Sequence, residues 1–255
     1  EMLRSLVGSE MCIRDRGGLT VWREIRRALP GESLAYLGDG ANCPYGSRPR
    51  EEVQALADAA VARLVELDCK MVVVACNTAT AAAIDFLREK YAPMPIVGME
   101  PAVKPACLNT RSGVVGVLAT ERSLDGELFR RTAAKYGSGV ELITAPGRGF
   151  VELVESDRES TPEAEQAVRD AVAVMLEHGA DQIVLGCTHY PFLLPVLERV
   201  VAGRGVEIVD PSPAVARRVV QLLDQYGLHA APDHVPSYTF RTFAGESYRL
   251  RLEHK

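Results

Sequence analysis

Two stretches of this chain, 111 residues apart, align without a gap: Leu64–Thr78 (LVELDCKMVVVACNT) and Met175–His189 (MLEHGADQIVLGCTH). Glu66 meets Glu177, Val73 meets Val184 and Cys76 meets Cys187, while Val72/Ile183 and Val74/Leu185 match in character. Each copy reads as a helix end, a turn, a short buried strand, a small residue, a cysteine and a polar pair. The apolar matches are what any two strand–helix units would share. A cysteine at the same step past each strand is not. The repeat predicts two similar α/β halves facing each other, each offering a thiol at the carboxyl end of its strand.

The remaining pattern agrees. Short apolar runs at Leu34–Leu37, Met71–Ala75, Ile96–Met99, Val114–Leu118, Val140–Ile143, Gln182–Leu185 and Val206–Val209 read as buried strands. Between them, helical spacing of apolar residues marks Thr20–Leu29, Glu51–Leu67, Ala79–Tyr91, Ser123–Tyr136, Pro162–Glu177, Pro191–Val201 and Pro213–Tyr226. Thr161-Pro162 and Ser212-Pro213 are helix starts, a capping side chain followed by proline in the first turn. Strands alternating with helices predict parallel sheets covered on both faces, with ligands at the carboxyl ends of the strands. Beyond His229 the pattern weakens. Pro232–Pro236 reads as a linker and Tyr238–Phe243 as an edge strand.

Composition narrows the function. Lys+Arg 29 against Asp+Glu 34 gives a net charge of −5 over 255 residues, a poor match to nucleic acid or anionic membrane. The longest apolar runs, Met71–Cys76 and Ala171–Leu176, are far below the ~20 residues of a membrane span, and no secretory signal is visible, so a cytoplasmic protein is expected. The six cysteines (Cys12, Cys43, Cys69, Cys76, Cys107 and Cys187) form no C-x-x-C pair, which argues for reduced thiols and against a metal site.

A cysteine leaving a buried strand just before a helix sits near backbone N–H groups and the positive end of the helix dipole, a setting that favours the thiolate. Asn77 and Thr78 follow Cys76; Thr188 and His189 follow Cys187. One such cysteine is as readily a buried apolar residue. Two in equivalent places suit a different chemistry. A cysteine–histidine nucleophile needs only one thiol, whereas a two-base racemase needs an acid/base group on each face of one carbon. The five lysines (Lys70, Lys90, Lys104, Lys135 and Lys255) lie outside the cysteine-bearing loops, so a mechanism with no pyridoxal or other cofactor is the simpler one.

GGLTVWREI (17–25), GDGANCPYG (38–46), VVVACNTATA (72–81), GVLAT (116–120), FVELVE (150–155) and VLGCTHYPFL (184–193) resemble the glutamate racemases of the aspartate/glutamate racemase superfamily, from about Gly17 to about Leu228. The resemblance implies cofactor-independent conversion of L- to D-glutamate for peptidoglycan. It also implies two pseudo-symmetric parallel-sheet α/β domains with the active site in the cleft between them, and a homodimer is compatible with it. The first domain would be 1–98 plus 210–255, the second 99–209. By motif, Cys76 and Cys187 would be the two bases, and Asn77, Thr78 and Thr188 would hold the substrate carboxylate. His189 would assist Cys187 and contact the amino-acid end, Tyr45, Gly46 and Thr120 would line the site, and Glu155 would be the acidic residue on the Cys187 side.

The start of the chain departs from this pattern. The family opens on a strand ending Phe-Asp-Ser-Gly-Val-Gly-Gly, whose Asp assists the first cysteine and whose Ser contacts substrate. Counting back from Gly17-Gly18, Ile13 and Arg14 stand in those places, and Asp15 is out of register. Glu1–Arg16 lacks a strand pattern and reads as a non-native start. The other readings are a racemase of the same superfamily acting on aspartate or a hydantoin, and an amino-acid-binding homologue with impaired catalysis.

Overall fold

The computed structural model describes residues 9–13, 16–125 and 127–243. The chain divides into two compact units, Glu1–Met99 with Ser212–Lys255, and Glu100–Pro211.

In the first unit, β1 (Ser9–Ile13), α1 (Gly18–Ala28), β2 (Leu34–Gly38), α2 (Arg50–Val65), β3 (Val72–Val74), α3 (Asn77–Lys90) and β4 (Ile96–Gly98) alternate along the chain. In the second come α4 (Val103–Asn109), β5 (Val114–Ala119), α5 (Glu121–Asp125), α6 (Glu127–Tyr136), β6 (Glu141–Pro146), α7 (Phe150–Glu155), α8 (Pro162–Glu177), β7 (Gln182–Gly186), α9 (Leu194–Val201) and β8 (Glu207–Val209). The chain then returns to the first unit with α10 (Ser212–Tyr226) and β9 (Tyr238–Thr242).

Among the described residues every strand pairing is parallel. The first sheet runs β4-β3-β1-β2-β9 and the second β6-β5-β7-β8. Read in reverse, the second is β8-β7-β5-β6, which is the order of the first with β1–β4 replaced by β5–β8. The duplication seen between the cysteine-bearing segments thus extends to the topology of each unit. The strand β9 is an addition at the edge beside β2, as its sequence suggested.

Both faces of each sheet are covered, and side chains alternate between them. In the second unit Leu118, Ile183 and Leu185 join a core with α7, α8 and α9, while Val115, Val117 and Val184 face α4 and α6. In the first, Val72, Val74 and Cys76 lie in the core beneath α2 and α3.

Two elements differ from the sequence reading. The segment judged to have no strand pattern forms β1, hydrogen-bonded between β2 and β3. A strand flanked on both sides has its ladder supplied by its neighbours, so weak intrinsic propensity is overridden. The expected helix Pro191–Val201 opens as a single 3-10 turn, Tyr190–Leu193, before α9. Pro195 has no N–H to give the Pro191 carbonyl, and the Leu194 N–H bonds there instead. The expected helix Ser123–Tyr136 is helical over Glu121–Asp125 and Glu127–Tyr136, residue 126 lying outside the described residues. Among the described residues, no helix is long and apolar enough to cross a membrane.

Candidate active site

In the first unit Cys76 leaves β3 with extended backbone, φ −154 and ψ 120, and caps α3. Its Sγ accepts the Ala79 N–H at 3.2 Å, so sulfur occupies the place usually taken by a Ser or Asp oxygen. An N–H pointed at sulfur, together with the helix N-terminus, favours negative charge on that atom. Cys76 is 1% exposed, and Asn77 and Thr78 beside it are buried. Both polar atoms of the Asn77 amide are buried without a hydrogen-bond partner among the described residues. Burying an amide unpaired costs free energy, so this one is set to receive a ligand.

Thr80, one turn further on, donates from Oγ1 to the Val74 carbonyl at 3.2 Å and accepts the Met99 N–H at 2.9 Å, fixing the cysteine-bearing loop to the end of β4. Tyr45 lies in the same core cluster as Cys76. Its phenol donates to Asp39 Oδ2 at 2.6 Å, and Asn42 Nδ2 donates to Asp39 Oδ1 at 2.8 Å. Asp39 was not singled out from the sequence. The signal was there in the spacing Asp39-x-x-Asn42-x-x-Tyr45, which lets one carboxylate gather a whole loop. Gly46 follows Tyr45 at the exit of this loop.

In the second unit Cys187, Thr188 and His189 are all buried. Cys187 Sγ stands 3.7 Å from His189 Nδ1, and His189 Nε2 is 2.8 Å from Glu155 Oε1 at the end of α7. Against an ionised carboxylate, which only accepts, a neutral imidazole would place its proton on Nε2 and turn its Nδ1 lone pair to the thiol. The three sequence-predicted residues are thus brought into one line, Cys187–His189–Glu155. Thr120 leaves β5 beside Cys187, because Ala119 and Gly186 are register partners at the ends of β5 and β7. Its Oγ1 is 2.8 Å from Ser123 Oγ and accepts the Ser123 N–H at 3.3 Å, capping α5. Neither Cys76 nor Cys187 is in a disulfide. Ile13 ends β1, while Arg14 and Asp15 lie outside the described residues. Among the described residues no cluster of three or more His, Cys, Asp or Glu side chains is placed to hold a metal.

Duplicated parallel-sheet units that each present a thiol where a strand gives way to a helix define a class of isomerase, and the comparisons agree. The sequence profile of the Asp/Glu/Hydantoin racemase family matches residues 16–219, and the chain belongs to that family. Within it the chain stands with the glutamate racemases. It is 50% identical over 212 residues to the glutamate racemase of Roseiflexus sp. (strain RS-1), covering 83% of this chain and 78% of that one. It is 44% identical over 238 residues to that of Deinococcus radiodurans, covering 92% and 81%. Among solved structures, glutamate racemase RacE1 of Bacillus anthracis superposes with a TM-score of 0.86 at 28% identity, over 98% of this chain and 94% of the other. The Escherichia coli enzyme, in complex with L-glutamate and an activator, gives 0.85 at 30% identity, over 96% and 92%.

Proposed function

We propose that this chain interconverts L- and D-glutamate by a cofactor-independent two-base mechanism, with Cys76 and Cys187 as the acid/bases. The observation that carries the reading is the recurrence of one buried cysteine, outside any disulfide, at the same step past an equivalent strand in each unit. One base suffices for hydrolysis or acyl transfer. Inversion at carbon needs a proton taken from one face and another delivered to the opposite face, which is the use two equivalent thiols serve.

One thiolate removes the Cα proton, and the electron pair left behind spreads into the substrate carboxylate. The second thiol protonates the other face, and the two sulfurs end with their protonation states exchanged. Asn77, Thr78 and Thr188 hold the carboxylate, and the unpaired Asn77 amide supports that assignment. His189, held by Glu155, takes and returns the proton of Cys187; Tyr45, Gly46 and Thr120 line the site. Glutamate as substrate rests on the relatives, and D-glutamate formed in the cytoplasm would enter peptidoglycan.

Circular dichroism of L-glutamate incubated with the purified chain tests this directly. The signal should decay to zero without added pyridoxal phosphate. An unchanged signal, or decay only with that cofactor, would defeat the reading. A parallel panel of aspartate and hydantoins checks the substrate.

A further inference from the structure

Tyr190 follows His189 directly and takes no part in the chemistry above. Its side chain is fully buried, at 0% exposure. The phenol donates to the Gly147 carbonyl at 3.3 Å, and the ring meets Phe150 edge-on, with centroids 5.1 Å apart and planes at 70°. Gly147 is itself tied to the end of β5, its N–H donating to the Ala119 carbonyl at 3.0 Å. A Cβ on Gly147 would lie 2.5 Å from Tyr190 Oη and 2.8 Å from Phe150 Cδ2, so only glycine leaves room for the phenol there. Burial, Cys187 and Glu152 push the phenol well above its ordinary range, so it remains an O–H donor wherever the protein works.

What this contact holds is α7. Phe150 is the first residue of that helix and Glu155, the partner of His189, is the last. A helix of this length is a rod of about 9 Å. Phe150, Leu153 and Val154 pack it into the core of the second unit, and its last residue bonds His189. Tyr190, the residue next to His189, ties its first turn as well, through the Gly147 carbonyl and the Phe150 ring. We propose that Tyr190 is a positioning residue for the proton chain: by clamping Gly147 and Phe150 it fixes α7 so that Glu155 meets His189, and thereby sets the imidazole against Cys187. The role rests on the two-thiol reading above.

Tyr190→Phe keeps the ring and deletes only the donor. In the purified full chain it should lower kcat about tenfold with KM held within about twofold, because the defect lies in alignment rather than binding. With Cα-deuterated substrates, the isotope effect should rise for the one enantiomer whose proton Cys187 takes. A general loosening of the fold would not select one enantiomer. The ¹⁵N spectrum of the His189 imidazole, identified by its disappearance in His189→Gln, should move from the Nε2–H form toward a mixture of tautomers. A wild-type isotope pattern, an equal rise for both enantiomers, or an unmoved His189 spectrum overturns the clamp. Should the wild-type chain leave glutamate unchanged, the proposed reaction fails instead, and the His189 spectrum alone decides the role of Tyr190.

Discussion

Gly186→Ala tests the coupling between strand packing and the second thiol. Gly186 is the last residue of β7, immediately before Cys187. A Cβ there would lie 2.5 Å from the Ala119 Cβ and 3.3 Å from the Leu118 carbonyl oxygen. Ordinary contact begins near 3.4 Å, so β5 and β7 would have to part by about 1 Å. The opposing atom is a Cβ fixed to a paired strand and cannot swing away. Overpacking of this kind costs about 1–3 kcal/mol, and a displacement of about 1 Å at a reacting group costs about 10²-fold in rate. The control is Gly116→Ala in the neighbouring strand, where the new Cβ meets the flexible Met175 side chain, Sδ at 2.5 Å and Cγ at 3.0 Å, and Ile183 Cγ1 at 3.2 Å, with no contact as close to a fixed Cβ or backbone atom. Thermal melts and racemisation by circular dichroism should show Gly186→Ala losing about 10²-fold in kcat, and Gly116→Ala a comparable stability loss with its rate within a few-fold of wild type. If the two variants lose rate in proportion to stability, the thiol's placement does not depend on Gly186 and the reasoning fails.

Cys76→Ala or Cys187→Ala should each abolish net racemisation while leaving the melting curve close to wild type; racemisation persisting in either removes that thiol from the mechanism. The Lys70–Glu32 pair, 2.6 Å apart with side chains 1% and 4% exposed, also binds the Ala230 N–H and so holds the returning C-terminal segment to the first unit. Lys70→Met strands a buried carboxylate and should cost about 3–5 kcal/mol in denaturant unfolding, with much of it recovered in Lys70→Met/Glu32→Leu. Burial raises the Glu32 carboxyl, but hydrogen bonds from Lys70 and the Ala230 N–H, with the Lys70 and His229 charges, leave it lowered overall. Its contribution is therefore present above the ordinary carboxylate range and is lost as pH falls through the lowered value, and an acid unfolding limb that Glu32→Gln leaves unmoved would contradict this. Finally, Ile13→Asp with Arg14→Ser should raise the racemisation rate by about 10²–10⁴, the worth of a positioned acid/base assistant; no gain would mean that the register drawn from the resemblance is wrong.

The parts of this fold most legible in the sequence are those whose stability is local. Buried strands of Val, Ile and Leu between capped amphipathic helices declare themselves, and Thr161 does cap α8, accepting the Ala164 N–H at 3.3 Å. The residues Ser9–Ile13 do not, because the partners that make them a strand, Leu34–Leu37 and Val72–Val73, lie far along the chain. The same distinction divides the site. Cys76, Asn77, Cys187 and His189 were found from motif and repeat. Asp39 and Tyr190 were passed over because their importance lies in contacts, a phenol 2.6 Å from one carboxylate oxygen and another on a distant glycine carbonyl.

The two halves keep the duplication in their sheets and abandon it around the thiols. Among the described contacts, the Cys76 sulfur accepts a helix N–H, and the Cys187 sulfur meets an imidazole backed by a carboxylate. An N–H donor stabilises charge on sulfur but cannot carry a proton away. An imidazole can accept one through Nδ1 and hold it while Glu155 bears the opposite charge. On the two-base reading each thiol must give up and take back a proton in turn, and the two units would assist this by different means. Each keeps the strand that carries its cysteine, and the segments that follow offer a backbone N–H to one sulfur and an imidazole to the other.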